Sequence, residues 1–140
     1  RYFKGHRDRV VSLAMSPRDD GFISASNDQT VRLWDLRVAA GQGRMLVGAR
    51  PCVAYDPEGL IFAVGYAGGE TGQKQTVKLF DVRNYDAGPF STMVYPENRQ
   101  SPNCIRFAND GKHFLVSTTS VEPEIKLFDA FDGAHVATYS

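Results

Sequence analysis

Val31-Arg32-Leu33-Trp34-Asp35 recurs as Val77-Lys78-Leu79-Phe80-Asp81 and again as Ile125-Lys126-Leu127-Phe128-Asp129. The copies start 46 and then 48 residues apart, and each reads β-branched, basic, Leu, aromatic, Asp. A period of this length marks a chain built from stacked supersecondary units. Upstream of each pentad a second segment repeats: Val11-Ser12-Leu13-Ala14-Met15, Pro51-Cys52-Val53-Ala54-Tyr55 and Asn103-Cys104-Ile105-Arg106-Phe107. Superposing Met15, Tyr55 and Phe107 puts Ser12, Cys52 and Cys104 in one slot, which suits small buried residues. Both cysteines are therefore expected to be buried, reduced thiols, since a catalytic Cys needs a base and an orienting partner.

Within each period, four runs rich in Val, Ile, Phe, Thr and Tyr are separated by turn residues, the pattern of consecutive antiparallel strands. The predicted strands are 10–16, 22–26, 30–36 and 44–48 in the first repeat, 52–55, 60–66, 76–82 and 90–95 in the second, and 104–108, 113–118, 124–130 and 135–139 in the third. Asp56-Pro57-Glu58-Gly59 and Ala108-Asn109-Asp110-Gly111 carry the residues of tight turns. No segment has helical periodicity or caps, so the fold class is all-β. A four-stranded sheet this small cannot cover both of its own faces and must lean on its neighbours.

The 140 residues include 16 Lys plus Arg and 16 Asp plus Glu, with 42% hydrophobic and 23% charged residues, the balance of a globular domain. A net charge of zero supplies no electrostatic driver for direct nucleic-acid or membrane binding. No apolar run approaches the roughly 18 residues that span a bilayer, and the opening segment lacks a signal core, which predicts an intracellular protein. The chain starts at Arg1 rather than Met, which predicts a piece of something longer.

Gly5-His6, Asp28 and Trp34-Asp35 resemble a WD40 repeat; the second and third repeats carry Phe-Asp instead of Trp-Asp. The resemblance implies a WD40 β-propeller, here about three four-stranded blades of a ring that this family closes with roughly seven. The blades would be 1–49, 50–96 and 97–140, all of one partial propeller domain whose other blades are missing from this chain. Its ends would then leave blade faces open to association.

The resemblance also implies a buried hydrogen-bond network of His6, Ser24 or Ser26, Asp28 and Trp34. Buried polar groups left unpaired cost about 1 to 3 kcal/mol each, so the network reads as a brace. A catalytic His6–Asp28 pair would leave its serine inside a sheet, away from substrate. Six residues before Phe80 and Phe128 stand Lys74 and Glu122, so the later repeats lack the brace and depend on packing. His113 and His135 stand singly, without metal-ligand spacing. No catalytic, cofactor-binding or metal residue is predicted, and an enzyme is not expected. An enzymatic propeller would need carboxylates or a metal at its axial channel, where Ser12, Cys52 and Cys104 are expected.

Longer stretches, Asp19-Asp20-Gly21-Phe22-Ile23-Ser24, Asp56-Pro57-Glu58-Gly59-Leu60-Ile61-Phe62-Ala63, Asp86-Ala87-Gly88-Pro89-Phe90 and Leu127-Phe128-Asp129-Ala130-Phe131-Asp132-Gly133, resemble the small WD-repeat subunits of COMPASS histone methyltransferases. That resemblance implies a non-catalytic adaptor in the nucleus, placing a histone-3 lysine-4 methyltransferase on transcribing chromatin through the phosphorylated tail of RNA polymerase II. Membership of RNA 3′-end processing or phosphatase assemblies is a further implication. The alternative is a peptide-reading subunit of another chromatin complex or a ubiquitin ligase.

Arg7, Arg9, Arg50, Lys74 and Arg99 fall on loops expected at one face, where they either pair with phosphate or stand as solvated charges among Asp8, Glu70 and Glu97. The polar loop 68–75 is longer than its counterparts. It is not a P-loop, because its Gly and Lys are not adjacent and a strand follows.

Overall fold

The Val-, Ile- and Phe-rich runs and their Asp-Gly turns fold as expected into antiparallel hairpins. The computed structural model describes residues 2–68, 75–94, 101–119 and 122–140. Within them the first sheet is β1 (Val10–Met15), β2 (Gly21–Ser26), β3 (Thr30–Asp35) and β4 (Val38–Leu46). The second is β5 (Ala49–Tyr55), β6 (Ile61–Ala67), β7 (Thr76–Asp81) and β8 (Ser91–Val94). The third is β9 (Ser101–Phe107), β10 (His113–Thr119), β11 (Ile125–Asp129) and β12 (His135–Tyr139). Each sheet pairs its strands in chain order, so each is a four-stranded meander. Among the described residues the one helical element is a 3-10 turn, Tyr85–Ala87.

The three repeated pentads are the third strands, and each sets its aromatic opposite a Phe of the strand before. Trp34 is registered with Phe22, Phe80 with Phe62 and Phe128 with Phe114. The ring pairs lie stacked, with centroids at 6.1, 5.0 and 5.4 Å. Such pairs add about 0.5 to 1.5 kcal/mol beyond the area they bury.

Strand alternation then decides which sheet covers which. Ile23, Ala25, Val31 and Leu33 of the first sheet pack against Val53, Phe62, Val64, Tyr66 and Phe80 of the second. The residues between these on the second sheet, Cys52, Ala54, Ala63, Val77 and Leu79, turn the other way onto Ile105, Phe114, Val116, Phe128 and Ala130 of the third. The middle sheet is buried on both faces, as stacked repeats require. Strands β1, β5 and β9 run side by side as the inner wall.

Two expectations need correction. The fourth strand of the first sheet was expected at 44–48, yet β4 begins at Val38. The small residues at 39–41 have weak strand propensity, but a Cβ added to Gly41 would touch the Trp34 ring at 3.6 Å. β4 pairs with β3 at its two ends, Val38 opposite Asp35 and Gly43 to Leu46 opposite Leu33 to Thr30, and the small residues between lie in a register irregularity beside the indole. The second correction is Cys104, which is exposed while Cys52 is buried. Both hold the same register slot, opposite Ser117 and Gly65 respectively. Cys52 is covered by the third sheet, whereas Cys104 points to the far side of that sheet, over which no strand lies among the described residues.

Candidate functional site

The segment 2–9 lies across the face of the first sheet that turns away from the second. Phe3 sets its ring edge-on to Phe22 and Trp34, at 5.0 and 5.8 Å. Gly5 passes close over the sheet, since a Cβ there would meet the Arg32 guanidinium and the Trp34 ring. This brings the next residue, His6, into the sheet.

Trp34 Nε1 donates to Ser24 Oγ at 2.8 Å. Ser24 Oγ lies 2.6 Å from His6 Nε2, and His6 Nδ1 lies 2.9 Å from Asp28 Oδ2. An ionised carboxylate only accepts, so Nδ1 carries the proton; Ser24, accepting from the indole, donates its own hydrogen to Nε2. The chain therefore has one direction, from Trp34 through Ser24 and His6 to Asp28.

Asp28 is the end of this chain and is fully engaged. One oxygen accepts from His6 and from the Arg7 N–H at 3.0 Å; the other accepts from the Thr30 N–H at 2.9 Å and the Thr30 hydroxyl at 2.6 Å. Burial alone would raise its pKa, but the bonds from Thr30, Arg7 and His6 outweigh it and hold the carboxyl well below the usual range. Four donors occupy the four lone-pair positions of a carboxylate, so no acceptor is left for a substrate proton.

Ser24 is thus the serine of the network. Ser26 is a neighbour of it: its hydroxyl donates to the Asp8 carbonyl and accepts the Asp28 N–H. Thr30 was missed by sequence reading, although its place two residues after Asp28 and at the head of the third strand was a usable signal. At this position the second and third sheets carry their stacked ring pairs, and Phe128 also meets the His135 ring edge-on at 5.6 Å.

Arg7, Arg9 and Arg50 are exposed at the end of the sheets where β1, β5 and β9 begin. Arg9 is held by its backbone: its N–H meets the Asp8 side chain and its carbonyl accepts from Asn27 at 2.9 Å. Arg50 adopts φ 49°, and its guanidinium donates to the buried hydroxyl of Ser101 at 3.2 Å. None of the three forms an ion pair among the described residues. Lys74 and Arg99 lie outside the described residues, as does most of the loop 68–75.

The inner wall lines a hollow of about 490 Å³ that includes Ser12, Val53, Asp56, Cys104 and Arg106. Cys52, expected at this wall, is turned instead into the interface with the third sheet. Asp56 commits its Oδ1 to the Leu60 and Ile61 N–H groups. Among the described residues no three His, Cys, Asp or Glu side chains converge as a metal site, and no helix is long and apolar enough to cross a membrane.

Residues 1–35 match the WD domain, G-beta repeat family. The first sheet is a WD40 repeat. The second and third sheets repeat its strand order, register and stacked ring pair, so the three are blades of a WD40-type propeller. The chain is 50% identical over its whole length to "Protein ANTHESIS POMOTING FACTOR 1" of Arabidopsis thaliana. It is 43% identical over its whole length to WD repeat-containing protein 82 of Drosophila melanogaster. Over 95% of its length it is 37% identical to the COMPASS component SWD2 of Saccharomyces cerevisiae. It spans 40%, 42% and 39% of the length of those relatives respectively.

Proposed function

We propose that this chain is part of a non-catalytic WD40 adaptor that works in the nucleus as a subunit of a COMPASS-type histone-3 lysine-4 methyltransferase. Its partners on this reading are the other methyltransferase subunits and the phosphorylated tail of RNA polymerase II, with RNA 3′-end processing or phosphatase assemblies as further settings. Similarity to a protein named as a COMPASS component supports the assembly. The observation that carries the adaptor role is the combination of a saturated brace with an unspent rim. His6, Ser24, Asp28 and Trp34 satisfy one another, while Arg7, Arg9 and Arg50 face solvent with no carboxylate neutralising them among the described residues. Guanidinium forks match phosphate oxygens in pairs, and loops on a rigid sheet are where such recognition is commonly placed.

The test is charge reversal at Arg9 and Arg50 in the intact protein, read by binding of a phosphoserine peptide from the polymerase tail. Tenfold or greater weakening is expected, equivalent to about 1.4 kcal/mol or more; unchanged affinity would show these arginines to be ordinary solvated charges. Affinity purification from nuclei with mass spectrometry tests the assembly. Recovery of a different chromatin complex or a ubiquitin ligase, without methyltransferase subunits, would overturn it.

A further inference from the structure

At the end of the sheets opposite the arginine rim, the second and third blades part to leave a cleft of about 410 Å³. Three apolar side chains from three different turns border it: Leu60, Phe90 and Phe131, which are 41%, 49% and 83% exposed. Large apolar groups meeting at a concave site are the usual anchor points of a partner.

The turns that present them are pinned without any ligand. Asp56 Oδ1 accepts from the Leu60 N–H at 2.8 Å. Asp129 Oδ1 accepts from the Phe131 N–H at 2.7 Å, and the Phe90 N–H bonds the Leu79 carbonyl at 2.9 Å. A preformed cleft spares the ordering cost that weakens association. Its charge is one-sided. Glu58 and Asp110 are exposed at the border, Asp110 already meeting the His113 ring at 3.1 Å and the Lys112 N–H at 2.8 Å, and Lys112 is the one cation among the described lining residues. An acidic border disfavours phosphate backbones and anionic lipid and favours a basic segment.

We propose that this cleft binds an extended basic peptide segment of a partner protein, seating a large apolar side chain among Leu60, Phe90 and Phe131 and Lys or Arg groups against Glu58 and Asp110. It is separate from the arginine rim and takes the opposite charge.

The probe is a fluorescein-labelled peptide alternating Arg with Leu around one central Trp, titrated by anisotropy into the intact protein. A second peptide has Glu in place of every Arg. Saturable binding of the Arg peptide alone is expected, weakened roughly tenfold or more by Phe131→Ala and by Glu58→Lys with Asp110→Lys, and unchanged by Arg9→Glu with Arg50→Glu. Phe131 is 83% exposed, so its truncation is expected to leave the fold intact. Equal binding of the Glu peptide, or affinity unmoved by both cleft variants, would overturn the proposal. So would self-association, seen by sedimentation, that disappears with Phe131→Ala, because the occupant would then be a second copy.

Discussion

The Ser24 hydroxyl stands between the Trp34 indole at 2.8 Å and the His6 ring at 2.6 Å. It accepts from the indole and donates to the imidazole. Ser24→Ala therefore strands a buried donor and a buried acceptor together. The variant of the intact protein is expected to lose about 1 to 3 kcal/mol of unfolding free energy, measured by urea denaturation. A loss below the resolution of that measurement would mean that water substitutes for the hydroxyl.

Acid should undo part of the same brace. The Asp28 carboxyl is held below its ordinary value in the folded chain. Its contribution is thus fully present above the unfolded pKa of about 3.9 and fades as pH falls below it. Melting curves of the native protein and Asp28→Asn should differ clearly near neutral pH, and the gap should narrow below about pH 4. A constant gap would remove Asp28 from the linkage.

Phe62 and Phe114 are fully buried members of the stacked pairs. Truncating either to Ala is expected to cost about 3 to 5 kcal/mol. Phe131→Ala, on an exposed turn, should stay within about 0.5 kcal/mol of the native protein in the same denaturation series.

Burial pushes the Cys52 thiol up to about 12, against the usual value near 9, and thiolate is the reactive form. In the 140-residue chain, alkylation should mark the exposed Cys104 and spare Cys52 until denaturant is added. Mass spectrometry of the digested chain reads this directly. Equal labelling of both under native conditions would contradict the packing of the second sheet on the third.

A side chain at Gly48 would run into the Ala67 carbonyl oxygen and the Tyr66 ring, where the first sheet hands over to the second. The obstacle is partly backbone and cannot swing aside. Gly48→Ala is expected to lower the melting temperature measurably, while Gly88→Ser has open space around it and is limited only by its backbone angle.

Period and parity were legible in the residues because they are local. The three pentads announce the third strands, and His6, Asp28 and Trp34 announce the brace. The exposure of Cys104 was not legible, since a strand residue's cover comes from a neighbouring sheet and the slot alone does not report whether one is present. Nor was the length of β4, whose Ala39-Ala40-Gly41 stretch lies in the irregularity between the Asp35–Val38 and Leu33–Gly43 pairs. In the sequence Phe131 belongs to a longer motif; its place at a cleft depends on two other turns brought near by the stacking of the blades.

Because strands pair in chain order within each sheet and, among the described residues, none pairs across sheets, each blade can close while later blades are still emerging from the ribosome. Such near-neighbour pairing lowers the loop-closure cost that slows β-rich chains. The middle blade has no water-facing side of its own, so its first-made flank is sheltered at once and its second remains bare until the following blade has been translated. A pause in synthesis at that stage would therefore expose a nascent hydrophobic surface, the point at which chaperone capture is most needed.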